Sequence, residues 1–177
     1  MKIMVIGSPG AGKTTLIQKI VAQTGWPLLS LDHEWHQSDY SDEAKIKLRQ
    51  TQHRFMATHD DWVIDGNYTG SMDLRLAQAD MILWLQVPRV VAIYRILKRS
   101  WRFRHDRQTR PEMPATFSEH FDADYCEFLK YVWHFDRDRV PQIQAQLTNL
   151  RPDQQLLILR SAQDKQRVFV QIKKAAD

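Results

Sequence analysis

Short apolar runs alternate with stretches in which apolar residues recur every three or four positions, a pattern that predicts strands alternating with helices along most of the chain. Ile3 to Ile6 is continuously apolar, as expected of a strand covered on both faces, and opens a first strand over Lys2 to Ile6. A Gly/Ser/Pro turn follows, then a helical pattern through Leu16, Ile17, Ile20 and Val21 that Gly25 and Pro27 close. Leu28 to Leu31 predicts a second short strand ending at Asp32. Ser41-Asp42-Glu43 marks a helix start, and that helix is expected to run to about His59 with Ile46, Phe55 and Met56 on its buried side. Trp62-Val63-Ile64 is a third strand stopped by Asp65-Gly66-Asn67, a brief helix spans about Leu74 to Ala79, and Met81 to Val87 is the fourth strand.

Pro88 opens the next helix at a position where its missing N–H costs nothing. Val91, Tyr94 and Leu97 are expected on the apolar side of that helix, and Arg95, Arg99 and Arg102 share one face at four- and seven-residue spacing. The stretch from His105 to Ser118 holds Pro111 and Pro114 and predicts a loop. Phe121, Tyr125, Phe128, Val132 and Phe135 then mark a long helix whose aromatic stripe is expected to be core rather than a stacking platform. Gln155 to Leu159 is a fifth strand and Ala162 to Ala176 a terminal helix. The alternation predicts a three-layer α/β domain, a parallel five-stranded sheet between helices joined by right-handed crossovers.

The 177 residues suit one domain, and a composition of 43% hydrophobic and 26% charged residues predicts folded structure throughout rather than a disordered majority. Cys126 is the one cysteine, which excludes an intrachain disulfide and a cysteine-built zinc site and points to a reducing compartment. With neither a signal-peptide core nor an 18-residue apolar run, the expectation is a cytoplasmic protein without a membrane partner. The formal charge of +4 is concentrated between Lys98 and Arg110, where six basic side chains face one acid, Asp106, and the remainder of the chain is close to neutral. A nucleic-acid backbone needs a broader basic footprint, so one Arg-rich segment better suits a compact polyanion such as a nucleoside triphosphate.

The strongest chemical signal is Gly7-Ser8-Pro9-Gly10-Ala11-Gly12-Lys13-Thr14, a Gly-x4-Gly-Lys-Thr motif between a predicted strand and a predicted helix. Without Cβ atoms its glycines let the loop curl so that backbone N–H groups and the positive helix end converge on phosphate. Lys13 suits the β- and γ-phosphate oxygens and the Thr14 hydroxyl suits Mg²⁺, so Gly7 to Thr15 is the expected ATP·Mg²⁺ site. The fourth strand ends Trp84-Leu85-Gln86 without an acid, which leaves Asp65 as the carboxylate for the metal; the alternative is a turn made with Gly66. In the expected strand order 2-3-1-4-5 Asp65 lies beside the phosphate loop. Asp32 is a candidate catalytic base or orienter for an acceptor hydroxyl, or else a helix cap, with His33, Trp35, His36 and Tyr40 as its pocket. Arg95 and Arg99 are candidates for the charge that develops on a transferred phosphoryl group. The arginines from Arg104 to Arg110 would close as a lid over about residues 99–120, or else form a solvated face.

On these residues, together with Trp62-Val63-Ile64-Asp65-Gly66-Asn67-Tyr68, Asp73-Leu74-Arg75-Leu76, Pro88-Arg89 and Lys98-Arg99, the chain resembles the adenylate-kinase-like P-loop kinases. Within them it is similar to the DNA topology modulation or FlaR-like family. The resemblance implies the P-loop NTPase fold, ATP binding, an Asp65-Gly66 pair that supports Mg²⁺, and a lid after the fourth strand. Asn67-Tyr68 stands where adenylate kinases carry Phe-Pro-Arg, so the monophosphate-binding arginine of that motif is missing. Two functions follow: a kinase passing the ATP γ-phosphate to a small-molecule acceptor that the sequence does not name, or a nucleotide-dependent regulator of DNA topology. Neither reading fixes the oligomeric state.

Overall fold

The computed structural model describes residues 1–106 and 122–176. Strands β1 (Lys2–Gly7), β2 (Leu28–Ser30), β3 (Trp62–Asp65), β4 (Met81–Leu85) and β5 (Gln155–Leu159) form one parallel sheet in the order β2-β3-β1-β4-β5. The expected fold and strand order are those observed.

Side-chain alternation along each strand divides the core between two layers. Ile3, Val5, Val63, Leu83 and Leu85 pack with Leu16, Ile17 and Ile20 of α1 (Lys13–Thr24) and with Val168 and Ile172 of α8 (Ala162–Ala176). Met4, Ile6, Trp62, Ile64, Ile82 and Trp84 face the opposite layer. There they meet Leu48 and Met56 of α3 (Asp42–Thr58), Phe135 of α6 (Ala123–Asp138) and Ile143 of α7 (Val140–Gln146). A smaller cluster joins Ala92 and Ile96 of α5 (Arg89–His105) to Tyr125 and Val132 of α6. The described residues also form two short helices, α2 (Leu31–His36) and α4 (Met72–Leu76).

Several local expectations change. The second strand stops at Ser30, because the Ser30 hydroxyl accepts from the His33 N–H and caps α2, whose first turn carries Asp32 and Glu34 where the helix dipole favours acids. Asp32 therefore starts a helix instead of ending a strand. Ile46 is 59% exposed, since the buried side of α3 is the four-residue series Ala44, Leu48, Gln52 and Met56 and Ile46 lies two positions, about 200°, around the helix from Ala44. On α5 the buried series is Ala92, Ile96, Ser100 and Phe103, leaving Tyr94 and Leu97 exposed on the wrong side of the expected stripe. The fourth strand ends at Leu85 rather than Val87, and α7 was not expected. The expected lid begins as the last turns of α5; Arg107 and Arg110 lie outside the described residues.

No helix among the described residues is long and apolar enough to cross a membrane.

Candidate active site

The carboxyl ends of β1, β2 and β3 meet at one edge of the sheet, and the chemistry gathers there. Gly7 leaves β1 with φ 142° and Gly10 turns the loop with φ 76°, conformations that L side chains rarely adopt. Space forbids them as well: a Cβ on Gly10 would stand 2.7 Å from the Ala92 carbonyl oxygen, and one on Gly7 would run into the Leu85 carbonyl. Gly12, at φ 90°, starts α1 without a side-chain cap, whereas Ser30, Ser41 and Asp122 each cap the helix that follows them. The N-terminus of α1 thus keeps its positive end available to an anion. Thr14 and Thr15 are exposed on that first turn, Ala11 is buried beneath it, and Ser8 is buried within the loop.

Lys13 Nζ folds back on its own loop, donating to the carbonyls of Gly7 at 2.9 Å and Ser8 at 3.3 Å. Two cations that follow much later in the chain hold the next carbonyls. Arg95 of α5 donates to Gly10 O at 3.3 Å, and Lys165 of α8 donates to Ala11 O at 2.9 Å. Burial, and then the neighbouring Arg95 charge, pulls the Lys165 pKa below the usual lysine range. Arg99, one turn on from Arg95, is half-buried on the same helix.

Asp65 pairs in register with Val5, which sets its carboxylate next to the phosphate loop. Its side chain is buried, and Oδ1 has no hydrogen-bond partner. Burial raises the Asp65 pKa to about 6; the Asp32 charge adds to the rise, while Lys13 and Arg75 oppose it. Next in the chain Asn67 pairs with both peptide groups of Gly7, its Oδ1 accepting from Gly7 N–H at 2.9 Å and its Nδ2 donating to Gly7 O at 3.0 Å. Arg75 is fully buried and donates to the carbonyls of Gly66, Asn67 and Tyr68 at 2.5, 3.1 and 3.1 Å, so the whole turn after β3 is moulded on one guanidinium.

Asp32 is exposed at the start of α2 and close enough to Asp65 for their charges to interact. Facing it is Tyr68, whose hydroxyl pKa is pushed upward by burial first, then by the Asp32 charge and a hydrogen bond to it. Trp35 lies edge-on to both Tyr40 and Tyr68, with ring centroids 5.5 and 6.2 Å away. The Asp32 charge also reaches Tyr131 of α6.

The structure therefore brings together the loop Gly7 to Thr15, Asp65 and Asp32, and it sets Arg95 against the loop. Sequence reasoning missed Lys165, the Asn67 latch and the moulding role of Arg75. Asn67 and Arg75 stood inside quoted motifs, but nothing in their spacing announced what they bind.

Loop, sheet order and strand ends define the class: a P-loop nucleoside-triphosphate-binding fold. Residues 3–64 match the ATPase family associated with various cellular activities (AAA). No curated protein matches the chain. Shikimate kinase from Bacteroides thetaiotaomicron has a similar structure, with 15% identity and a TM-score of 0.59 over 99% of this chain and 97% of that one. Deoxyadenosine kinase from M. mycoides shares 15% identity at a TM-score of 0.52, covering 99% of this chain and 100% of that chain. A gluconokinase from Sinorhizobium meliloti 1021 shares 14% at 0.53, over 99% and 90%. At such identities the likeness establishes the fold, one that is found in small kinases.

Proposed function

We propose that this chain is a phosphotransferase that passes the γ-phosphoryl group of ATP to the hydroxyl of a small acceptor. The observation that carries the reading is the buried Asp65 carboxylate, one oxygen without a partner, beside Lys13 and an uncapped helix start. A carboxylate with an orphaned oxygen fits a divalent cation, and a glycine loop that excludes Cβ atoms fits phosphates. In this reading Gly7 to Thr15 bind the triphosphate, Thr14 and Asp65 hold Mg²⁺, and Lys13 leaves its loop carbonyls for the β- and γ-phosphate oxygens. Bound Mg²⁺ would neutralise charge on the phosphates.

The acceptor oxygen forms the new bond to the γ-phosphorus as the bond to the β,γ-bridging oxygen breaks, and ADP departs with that electron pair. Asp32 takes the hydroxyl proton and passes it to water. Arg95 and Arg99 supply fixed positive charge where the transferred group gains negative charge. The kinase activities of similar folds point the same way. Incubation with ATP·Mg²⁺ and pooled nucleosides, nucleotides and sugars should yield a phosphorylated product with the wild-type chain and none with Lys13→Ala. Absence of any product from the wild type would overturn the reading.

A regulatory role, in line with the DNA topology modulation resemblance, has one observation in its favour: Tyr94, Arg95, Lys98, Arg99 and Arg102 line an open concavity along α5. It forecasts DNA affinity that falls steeply with salt and depends on Lys98 and Arg102.

A further inference from the structure

The two non-glycine residues with positive φ among the described residues are both tyrosines, Tyr40 at 62° and Tyr68 at 22°, and both rings contact Trp35. Such backbone strain persists only where the surroundings over-determine it, and it concentrates at ligand sites. Here it holds a half-buried indole between two rings, on the same short helix that presents Asp32. The two histidines of that helix pair at the exposed surface with residues that follow it, His33 with Gln37 at 2.8 Å and His36 with the Tyr40 hydroxyl at 3.3 Å.

Of the two acids here, Asp65 has Lys13 and Arg75 beside it and is the carboxylate assigned to Mg²⁺, which leaves Asp32 as the negative charge facing an acceptor. Asp32 and Asp65 are carboxylates close enough to interact. The arginines nearby are committed elsewhere. Arg75 is buried against three carbonyls, and Arg49 grips Asp73 through two 2.8 Å bonds and also donates to Gly70 O. Arg139 lies 5.6 Å from the centre of the Tyr131 ring and donates to Gln142. An anionic group placed there on the acceptor would meet the Asp32 carboxylate, and like charges repel.

We infer that the acceptor is an uncharged nucleoside, its base against Trp35 and a sugar hydroxyl at Asp32, and that nucleoside monophosphates are discriminated against by the Asp32 charge. This rests on the phosphotransferase reading of the same site and names its substrate class. An aromatic wall with adaptable donors and acceptors at its edge recognises a flat heterocycle by stacking and by its polar rim.

The test is calorimetric titration of the wild-type chain, with Mg²⁺ and a non-hydrolysable ATP analogue present. The ligands are adenosine, guanosine, cytidine and thymidine, their 5′-monophosphates, and glucose. At least one nucleoside should bind at least about tenfold more tightly than its own monophosphate, and glucose should not bind. Asp32→Asn should narrow that ratio by weakening the repulsion. Trp35→Ala should cost about tenfold or more in nucleoside affinity while Trp35→Phe keeps most of it. If Trp35→Ala fails to fold, the Asp32→Asn ratio decides.

A monophosphate that binds as tightly as its nucleoside, or glucose binding in preference to every nucleoside, overturns the inference. Phosphoryl transfer is followed separately, with ATP, by product formation. Transfer to a monophosphate or a sugar alone would leave the phosphotransferase standing and sink the nucleoside assignment. A nucleoside that binds without ever being phosphorylated would do the reverse, keeping the subsite and removing the reaction.

Discussion

Asn67 holds Gly7 by both of its peptide groups, accepting from the N–H at 2.9 Å and donating to the carbonyl at 3.0 Å. The residue after the Asp65-Gly66 pair is thereby locked to the residue that opens the glycine loop, so the Asp65 carboxylate and the loop keep one relative position. Gly7 O is shared with Lys13 Nζ, which makes Asn67 a competitor as well as a brace for that carbonyl.

Replacing Asn67 by Ala should destabilise the protein by about 1–3 kcal/mol, because two backbone groups lose a partner in a half-buried place. ATP affinity should fall with it. Asn67→Asp is the sharper probe: it keeps an acceptor for the Gly7 N–H but turns a donor toward Gly7 O into a repelling oxygen. Urea denaturation beside ATP calorimetry reads both effects. Wild-type values for Asn67→Asp would mean that the latch does not position the loop.

Lys165 reaches the loop from the last helix and fastens Ala11 O, with Arg95 on Gly10 O next to it. Lys165→Met keeps the apolar stem and removes the charge. Binding of ATP should weaken by something like five- to fifty-fold, since a cation is lost within reach of the triphosphate and a loop carbonyl is released. Calorimetry at two salt concentrations separates these causes: a charge effect shrinks in high salt, a loop-ordering effect does not.

Arg75 has no access to solvent, and burial pulls its pKa down to about 10, still charged at neutral pH. Its partners are the carbonyls of Gly66, Asn67 and Tyr68. Arg75→Leu should cost about 3–5 kcal/mol, a large share of the stability of a domain this size, and Arg75→Lys should recover only part because an ammonium cannot span three acceptors in one plane. A loss under about 1 kcal/mol by urea denaturation would show the turn to be held by other contacts.

How far the sequence could be followed depended on whether the chemistry was local. The phosphate loop is contiguous, and its glycines, lysine and threonines announce themselves by spacing alone. Asp65 was legible because a strand end next to β1 is a place the fold dictates. Asp32 was placed on the wrong element, since Ser30 could equally end a strand or cap a helix until the His33 N–H found it. Asn67 to Gly7 spans 60 positions and Lys165 to Ala11 spans 154, so no periodicity links them. Ile46 misled because hydrophobic identity was weighed above helical phase, and the small and polar residues Ala44 and Gln52 occupy the buried side.

Asp65 carries the prediction that separates function from stability. Its pKa is about 6 in the folded chain against an ordinary 3.8, so between those values the native state binds more protons than the unfolded one. Stability then falls as pH rises through that window, and above about pH 6 the folded protein bears the full cost of a buried charge. Asp65→Asn removes that charge with little change in shape. At pH 7 the mutant without ligand should be more stable than the wild type by about 1–3 kcal/mol, and the advantage should shrink toward zero near pH 4, where the wild-type carboxyl is already protonated. Nucleotide binding should move the other way. With Mg²⁺ the mutant should bind ATP much more weakly, and with EDTA nearly as well as the wild type, because the lost charge acts through the ion. In the wild type the Mg²⁺-dependent part of the affinity should itself decline as pH drops through about 6. A mutant less stable than the wild type at pH 7, or one that loses equal affinity with and without Mg²⁺, would make Asp65 a turn residue whose carboxylate serves the backbone instead of the metal.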